Sequence, residues 1–93
     1  MSEIKTKEAV AQVMNRAGLH ARPAAALVKM AGGFQSEIYL EKDGLRVNGK
    51  SIMGVLMLAA EQGSSLRITA SGPDAKEALT ALTDLVRRGF EED

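Results

Sequence analysis

Two short segments of the chain alternate between apolar and polar residues, and this alternation restricts the possible folds more than any other feature. Apolar Ile38 and Leu40 alternate with polar neighbours in residues 36–41, and residues 65–70 (SLRITA) repeat the pattern. A period of two predicts β-strands with one buried and one solvated face. Helices must then cover the buried face only, which predicts an open-faced α+β sandwich.

Five further elements follow from weaker alternation, from apolar residues at helical spacing and from turn or cap residues. They are a strand over residues 8–14, a helix over residues 22–31, a strand over residues 45–48 after an Asp43-Gly44 turn, a helix over residues 51–59 and a helix from Asp74 to Gly89. Asp74, with Glu77 three residues later, resembles a capping box at the start of the last helix. The predicted order of elements is βαββαβα.

The composition describes a small domain that does not use cysteine chemistry. The 93 residues suffice for one domain, which we expect to span residues 1–93. The absence of cysteine excludes disulfides and thiolate catalysis. The 12 basic and 12 acidic residues balance, which argues against nucleic acid or an anionic membrane as the main partner. The charged start MSEIKTKEAV lacks the apolar run of a signal peptide, so we expect a cytoplasmic protein.

The only histidine, His20, lies in the segment AGLHARPAA (residues 17–25), where an alanine-rich helix is predicted to begin. The sequence offers neither a second histidine nor a cysteine as a further ligand, so we expect no metal site. No nucleophile-elbow pattern accompanies the serines, which argues against hydrolytic catalysis.

The start of this helix instead favours a bound anion. Ala21 has no side-chain oxygen for a cap, so the first N–H groups and the positive end of the helix dipole remain available to an anion. Arg22 adds a guanidinium group suited to phosphate, Gly18 allows a close approach of the backbone, and Pro23 suits the first helical turn. A nucleophilic imidazole at this place predicts a phosphoryl group carried on nitrogen.

Two motifs in the sequence resemble one protein family. GLHARPA (residues 18–24) is similar to the active-site signature of HPr, the histidine phosphocarrier of the bacterial phosphoenolpyruvate:sugar phosphotransferase system, and VNGKSIMG (residues 47–54) is similar to its regulatory-serine region. The resemblance covers residues 8–89 and implies a four-stranded antiparallel sheet with three helices on one face. It also implies that His20 accepts a phosphoryl group from phosphorylated enzyme I through Nδ1 and passes it to an enzyme IIA component. Arg22 would stabilise that group during transfer.

A protein of this family would be a protein substrate in a relay rather than an enzyme with independent turnover. We expect it to need no cofactor and to be a monomer. One position departs from the family pattern, because Ala17 stands where many relatives carry a polar Asn or Ser near the imidazole. We therefore expect the rate of transfer to differ modestly from that of these relatives.

The segment that begins at Ser51 carries the second set of candidate residues. Ser51 can cap a helix, and by resemblance it is also the residue phosphorylated by HPr kinase/phosphorylase. In a helix of about two turns Val55 and Leu58 can face the core, but the other apolar residues cannot all do so. The excess predicts an exposed apolar patch that docks enzyme I, enzyme IIA and the kinase. Its members are Ile52, Met53, Leu56 and Met57.

Three alternatives to a sugar-pathway carrier stay open at this point. A nitrogen-branch paralogue would use the same chemistry with a different enzyme I and enzyme IIA. A purely regulatory interaction protein would act through Ser51, although His20 and Arg22 are both intact here. A small RNA- or ligand-binding module is disfavoured by the neutral charge, the three aromatic residues and the lack of a basic stripe.

Overall fold

The structure is a computed structural model that describes residues 5–91. Within this range the elements follow the predicted order βαββαβα. They are β1 (Thr6–Gln12), α1 (Ala21–Gly32), β2 (Glu37–Lys42), β3 (Leu45–Asn48), α2 (Ile52–Met57), β4 (Ser65–Ser71) and α3 (Ala75–Arg87), followed by a short 3-10 turn at Gly89–Glu91.

The four strands form one antiparallel sheet in the order β1-β4-β2-β3. The register pairs Thr6 with Ser71 at one end of β1 and β4, and Gln12 with Ser65 at the other. Ile38 is buried on the inner face, whereas its neighbour Glu37 is exposed. The sheet therefore has one dry and one solvated face, as the alternation predicted.

The helices cover the dry face of the sheet, and the predicted open-faced α+β sandwich is confirmed. α3 packs on β1 and β4, and α1 packs on both α2 and α3. The apolar spacing explains this packing, because residues three, four and seven positions apart share one helix face. The buried residues are Pro23, Ala24, Leu27 and Ala31 of α1, Val55 of α2, and Ala75, Ala78, Leu82, Thr83, Leu85 and Val86 of α3.

Local backbone geometry explains the hairpin between β2 and β3 and corrects two boundaries. Asp43 has φ 51° and Gly44 has φ 84°, the pair of positive values typical of a two-residue hairpin turn. α2 ends at Met57 instead of residue 59, because Ala59 has φ 48°, in the left-handed region where a helix cannot continue. β1 ends at Gln12 instead of residue 14, although Val13 still points into the core.

The predicted capping box at the start of α3 is wrong. Asp74 occupies the N-cap position, but its side chain makes no capping hydrogen bond with its own helix. Its carboxylate instead accepts from the Gln35 N–H at 2.9 Å, and from the N–H and hydroxyl of buried Ser36 at 2.9 and 2.5 Å. Asp74 thus joins the start of α3 to the chain before β2, a partner that local sequence spacing cannot reveal.

Candidate functional site

His20 is the N-cap residue of α1, and its side chain is exposed. Its backbone is extended, with φ −80° and ψ −168°, and its carbonyl accepts the first helical hydrogen bond from the Ala24 N–H at 3.0 Å. The imidazole makes no capping hydrogen bond to the helix. The ring is therefore presented at the helix start and is not used as a structural cap.

The first turn of α1 has the features of an anion site that the sequence predicted. Pro23 lacks an N–H, and within residues 5–91 the N–H groups of Ala21 and Arg22 have no hydrogen-bond acceptor. No acidic residue lies in this turn. Arg22 is exposed and forms no ion pair within the same range, so its guanidinium remains available to an anion. The structure thus brings together four predicted residues: His20, Ala21, Arg22 and Pro23.

The structure gives Gly18 a steric role that the sequence did not reveal. The sequence predicted that its missing side chain would let the backbone approach the phosphoryl group. Its φ is +73°, and a Cβ at this position would lie 2.5 Å from the carbonyl oxygen of Ala60. The next residue, Leu19, donates its N–H to that same oxygen at 2.8 Å. Gly18 therefore also allows a close approach to the chain after α2, and this contact fixes the loop that precedes His20.

Sequence reasoning missed two residues that hold this loop: Asn15 within it and Ala60 in the chain after α2. Asn15 is 1% exposed, and its Nδ2 donates to the carbonyl oxygen of Gly18 at 2.7 Å. Asparagine three residues before glycine is a turn signal that could have pointed to Asn15. Ala60 acts through its backbone oxygen, 41 positions along the chain from Leu19 (60 minus 19), and its side chain carries no signal of that contact.

Ser51 is the N-cap residue of α2, and its predicted capping role is confirmed. Its Oγ accepts from the N–H of Gly54 at 3.1 Å, and the side chain is half-buried. This bond satisfies one of the N–H groups that a helix start leaves without a partner.

The apolar residues of α2 divide between core and surface as predicted. Val55 is fully buried and Leu58, just beyond the helix, is 3% exposed. The four remaining side chains form what we call the α2 patch. Their exposed fractions are 38% for Ile52, 68% for Met53, 36% for Leu56 and 65% for Met57. Such a concentration of exposed large apolar side chains on six helical residues is unusual for a surface without a partner.

Two hydrogen bonds show how α2 lies beside the site. The Lys50 Nζ, just before α2, donates at 2.7 Å to the carbonyl oxygen of Phe34, just after α1. The bond between Leu19 and Ala60 joins the opposite ends of the two helices. α1 and α2 are therefore antiparallel, so His20 lies toward the C-terminal end of the α2 patch and Ser51 lies at its N-terminal end.

Comparison with known proteins agrees with this geometry. The family model PTS-HPr, described as the PTS HPr component phosphorylation site, matches residues 7–88. The chain belongs to the HPr family. It is 51% identical to the phosphocarrier protein HPr of Treponema pallidum (strain Nichols) over 82 residues, which are 88% of this chain and 93% of that protein. The sequence-based resemblance to HPr, the phosphocarrier of the phosphotransferase system, is thereby confirmed.

Solved structures of HPr relatives share the fold. The crystal structure of HPr-C-His from Thermoanaerobacter tengcongensis matches with a TM-score of 0.90 and 46% identity, and the match covers 94% of this chain and 98% of that one. The crystal structure of Crh, the Bacillus subtilis catabolite repression protein, is described as a swapped dimer. It matches with a TM-score of 0.72 and 44% identity, covering 89% of this chain and 92% of that one. None of the helices within residues 5–91 is long and apolar enough to cross a membrane.

Proposed function

We propose that His20 accepts a phosphoryl group from phosphorylated enzyme I and passes it to enzyme IIA components. The observation that carries the proposal is the placement of His20 and Arg22. The imidazole is exposed at the start of α1 without serving as a cap, and Arg22 extends into solvent two residues later. Membership of the HPr phosphocarrier family supports the same chemistry.

In the first transfer, the Nδ1 lone pair of His20 attacks phosphorus. The N–P bond forms as the bond from phosphorus to its donor on enzyme I breaks. The second transfer repeats the exchange, with a group on enzyme IIA as the nucleophile and His20 as the leaving group. The phosphoryl oxygens stay negative throughout, so the N–H groups of α1, its dipole and Arg22 stabilise them. The carrier is regenerated, requires no cofactor and has no turnover of its own.

The α2 patch supplies the docking surface in this proposal. Enzyme I and enzyme IIA must both bring a reactive group to His20, and an exposed apolar surface beside it suits successive partners. Methionine supports such sharing, because its flexible side chain adapts to surfaces of different shape.

Phosphorylation of Ser51 by HPr kinase/phosphorylase would regulate docking in the same scheme. The Ser51 oxygen already lies at the start of α2, where a helix tolerates negative charge well. A phosphate there adds about −2 charge beside Ile52 and Met53, so it disfavours partners that bury this end of the α2 patch.

A regulatory protein that acts only through Ser51 is the second candidate function. The similarity to Crh of Bacillus subtilis, described as a catabolite repression protein, favours it. A nitrogen-branch relay would retain the His20 chemistry and differ only in its partners. Phosphate transfer to His20 therefore separates the regulatory candidate from both relays.

The expectations of one domain over residues 1–93, of a monomer and of a cytoplasmic location stay predictions. The dimeric Crh structure makes the oligomeric state the most informative of these to measure. Sedimentation of the full chain would contradict the monomer if the mass were twice the 9.9 kDa of one chain.

The test is to incubate the protein with a bacterial enzyme I and phosphoenolpyruvate and to measure intact mass before and after mild acid. We expect one acid-labile phosphate in the wild type and none in His20→Ala. A folded wild type that accepts no phosphate from several enzymes I would overturn the carrier proposal and favour regulation through Ser51.

The role of Arg22 is tested with a matched pair of arginines. We expect Arg22→Ala to lower the rate of transfer about tenfold or more, because it removes a charge that faces the phosphoryl group. Arg46→Ala is the control, because it removes the same charge from a different part of the surface. The Arg46 guanidinium lies over the Tyr39 ring in β2, 4.0 Å from the ring centroid. Equal rates for the two variants would contradict a specific role for Arg22.

A further inference from the structure

We propose that Asn15 is a positioning residue for phosphoryl transfer, holding the peptide unit between Gly18 and Leu19 so that His20 faces its partners. Asn15 makes no contact with the phosphoryl group in this proposal and acts through the backbone. The inference rests on the proposed role of His20 as phosphoryl acceptor.

The first observation is a pair of reciprocal hydrogen bonds that closes a four-residue turn. The Gly18 N–H donates to the Asn15 carbonyl oxygen at 3.1 Å, and the Asn15 Nδ2 donates back to the Gly18 carbonyl oxygen at 2.7 Å. A turn usually has only the first of these bonds. The second bond fixes the direction of the carbonyl that leads into the site.

The second observation concerns the other side of the same peptide unit. The Gly18 carbonyl and the Leu19 N–H belong to one planar group and cannot rotate separately. The carbonyl is held by Asn15, and the N–H is held by the Ala60 oxygen at 2.8 Å. This peptide unit is therefore anchored at both of its polar ends, one residue before His20.

The third observation is that Asn15 itself is well supported. The side chain is 1% exposed, and a Cβ on Gly89 would lie 3.5 Å from the Asn15 nitrogen and 3.6 Å from its Cβ. The chain after α3 therefore packs directly against Asn15. Gly89 faces the backbone and Cβ of Asn15, so an alanine at position 15 keeps this packing and removes only the side-chain amide.

Anchoring of this kind matters for transfer because the imidazole must meet phosphorus in line with the bond that breaks. Small errors in the placement of a reacting group lower the rate steeply, whereas the affinity of a docking surface elsewhere is not affected. The α2 patch contains neither Asn15 nor any of its hydrogen-bond partners named here. The proposal therefore separates two kinetic constants of enzyme I: its kcat with this protein as substrate depends on Asn15, and its KM for this protein does not.

The experiment compares Asn15→Ala with Asn48→Ala in the full chain. Asn48 also stabilises a turn, where its Oδ1 accepts from the Lys50 N–H at 2.8 Å, but it is exposed and lies outside the loop before His20. We expect Asn15→Ala to lower kcat for transfer from enzyme I about tenfold with an unchanged KM. NMR should show shifted Leu19 amide and His20 ring signals. Asn48→Ala should change neither the rate nor these signals.

Two outcomes would overturn the proposal. A folded Asn15→Ala protein with wild-type kcat and an unchanged Leu19 amide signal would show that the anchor has no role in transfer. A rise in KM equal to the loss in kcat/KM would assign Asn15 to docking instead. If Asn15→Ala does not fold, the isosteric Asn15→Asp replaces the donor by an acceptor and is measured in the same way. Acid-labile phosphate on His20→Ala would instead refute the underlying carrier proposal.

Discussion

At the scale of single residues, the loop before His20 depends on two different properties of glycine. Gly18 combines a positive φ of 73° with a predicted Cβ distance of 2.5 Å to the Ala60 oxygen. Gly63 has a similar φ of 90°, but no atom lies within 4 Å of the position of its Cβ. An alanine at Gly63 would therefore introduce backbone strain alone, whereas an alanine at Gly18 would introduce the same strain and a steric clash.

We predict that Gly63→Ala lowers the free energy of unfolding by about 1 kcal/mol through strain alone. Gly18→Ala should lower it by about 3 kcal/mol, since the clash with Ala60 adds to the strain. Urea unfolding of the two variants measures both values. Equal losses would mean that the loop moves away from Ala60 at little cost.

His20 and Arg22 were identifiable from the sequence because their chemistry and their position at a helix start are both local properties. Asn15 and Ala60 were not, because each acts through a contact that only the folded chain creates. Gly18 lies between these cases. The sequence indicated that glycine is required at this position, but Ala60, the neighbour that leaves no room for a Cβ, lies beyond α2 in the chain.

At the scale of elements, the sequence pattern predicts where α2 begins but not where it ends. It has only six residues, so its stability depends on the Ser51 cap and on burial of Val55 more than on helix propensity. The predicted end at residue 59 failed because a left-handed alanine, Ala59, carries no sequence signal of the kind that glycine gives.

The Ser51 cap gives a prediction that separates stability from regulation. Ser51→Ala should lower the free energy of unfolding by about 1 kcal/mol, whereas Ser51→Asp should retain stability, since aspartate also caps helices. Ser51→Asp should nevertheless raise the KM of enzyme I for this protein, because the added charge lies beside the α2 patch.

Ser65→Asp is the matched control for this charge. Ser65 is exposed in β4, so the same change there should leave KM unaltered. If both aspartate variants raise KM equally, net charge rather than the position of Ser51 determines docking. Transfer kinetics at a fixed enzyme I concentration, with the concentration of each variant varied, distinguish the two results.

At the scale of the whole molecule, the Asp74 carboxylate ties the helical layer to the sheet. The Ser36 hydroxyl, followed by the Gln35 and Ser36 N–H groups, holds the pKa of Asp74 below its ordinary value of 3.8. These donors favour the ionised form in the folded state only. Asp74 therefore stabilises the fold fully above its ordinary pKa, and this contribution is lost as the pH falls through the lowered folded pKa.

We predict that Asp74→Asn is less stable than the wild type at neutral pH and that the difference shrinks as the pH falls below 3.8. Thermal unfolding across this pH range measures the difference. Ser36→Ala, made alone and with Asp74→Asn, forms a double-mutant cycle. Additive losses in that cycle, or a constant difference at every pH, would contradict the coupling of Asp74 to Ser36.

The strand order has a consequence for how the protein is made. Within residues 5–91, β1 pairs with β4 alone, and the hydrogen-bonded side chains of Thr6 and Ser71 are 65 positions apart. A nascent chain therefore exposes β1 on the ribosome until β4 has been synthesised. The loop before His20 can form its contacts only after residues 60–64 have been synthesised, since Leu19 donates to the Ala60 oxygen and Val13 donates to the Ser64 oxygen. A prematurely released chain would contain the whole GLHARPA motif without the contacts that fix the loop before His20.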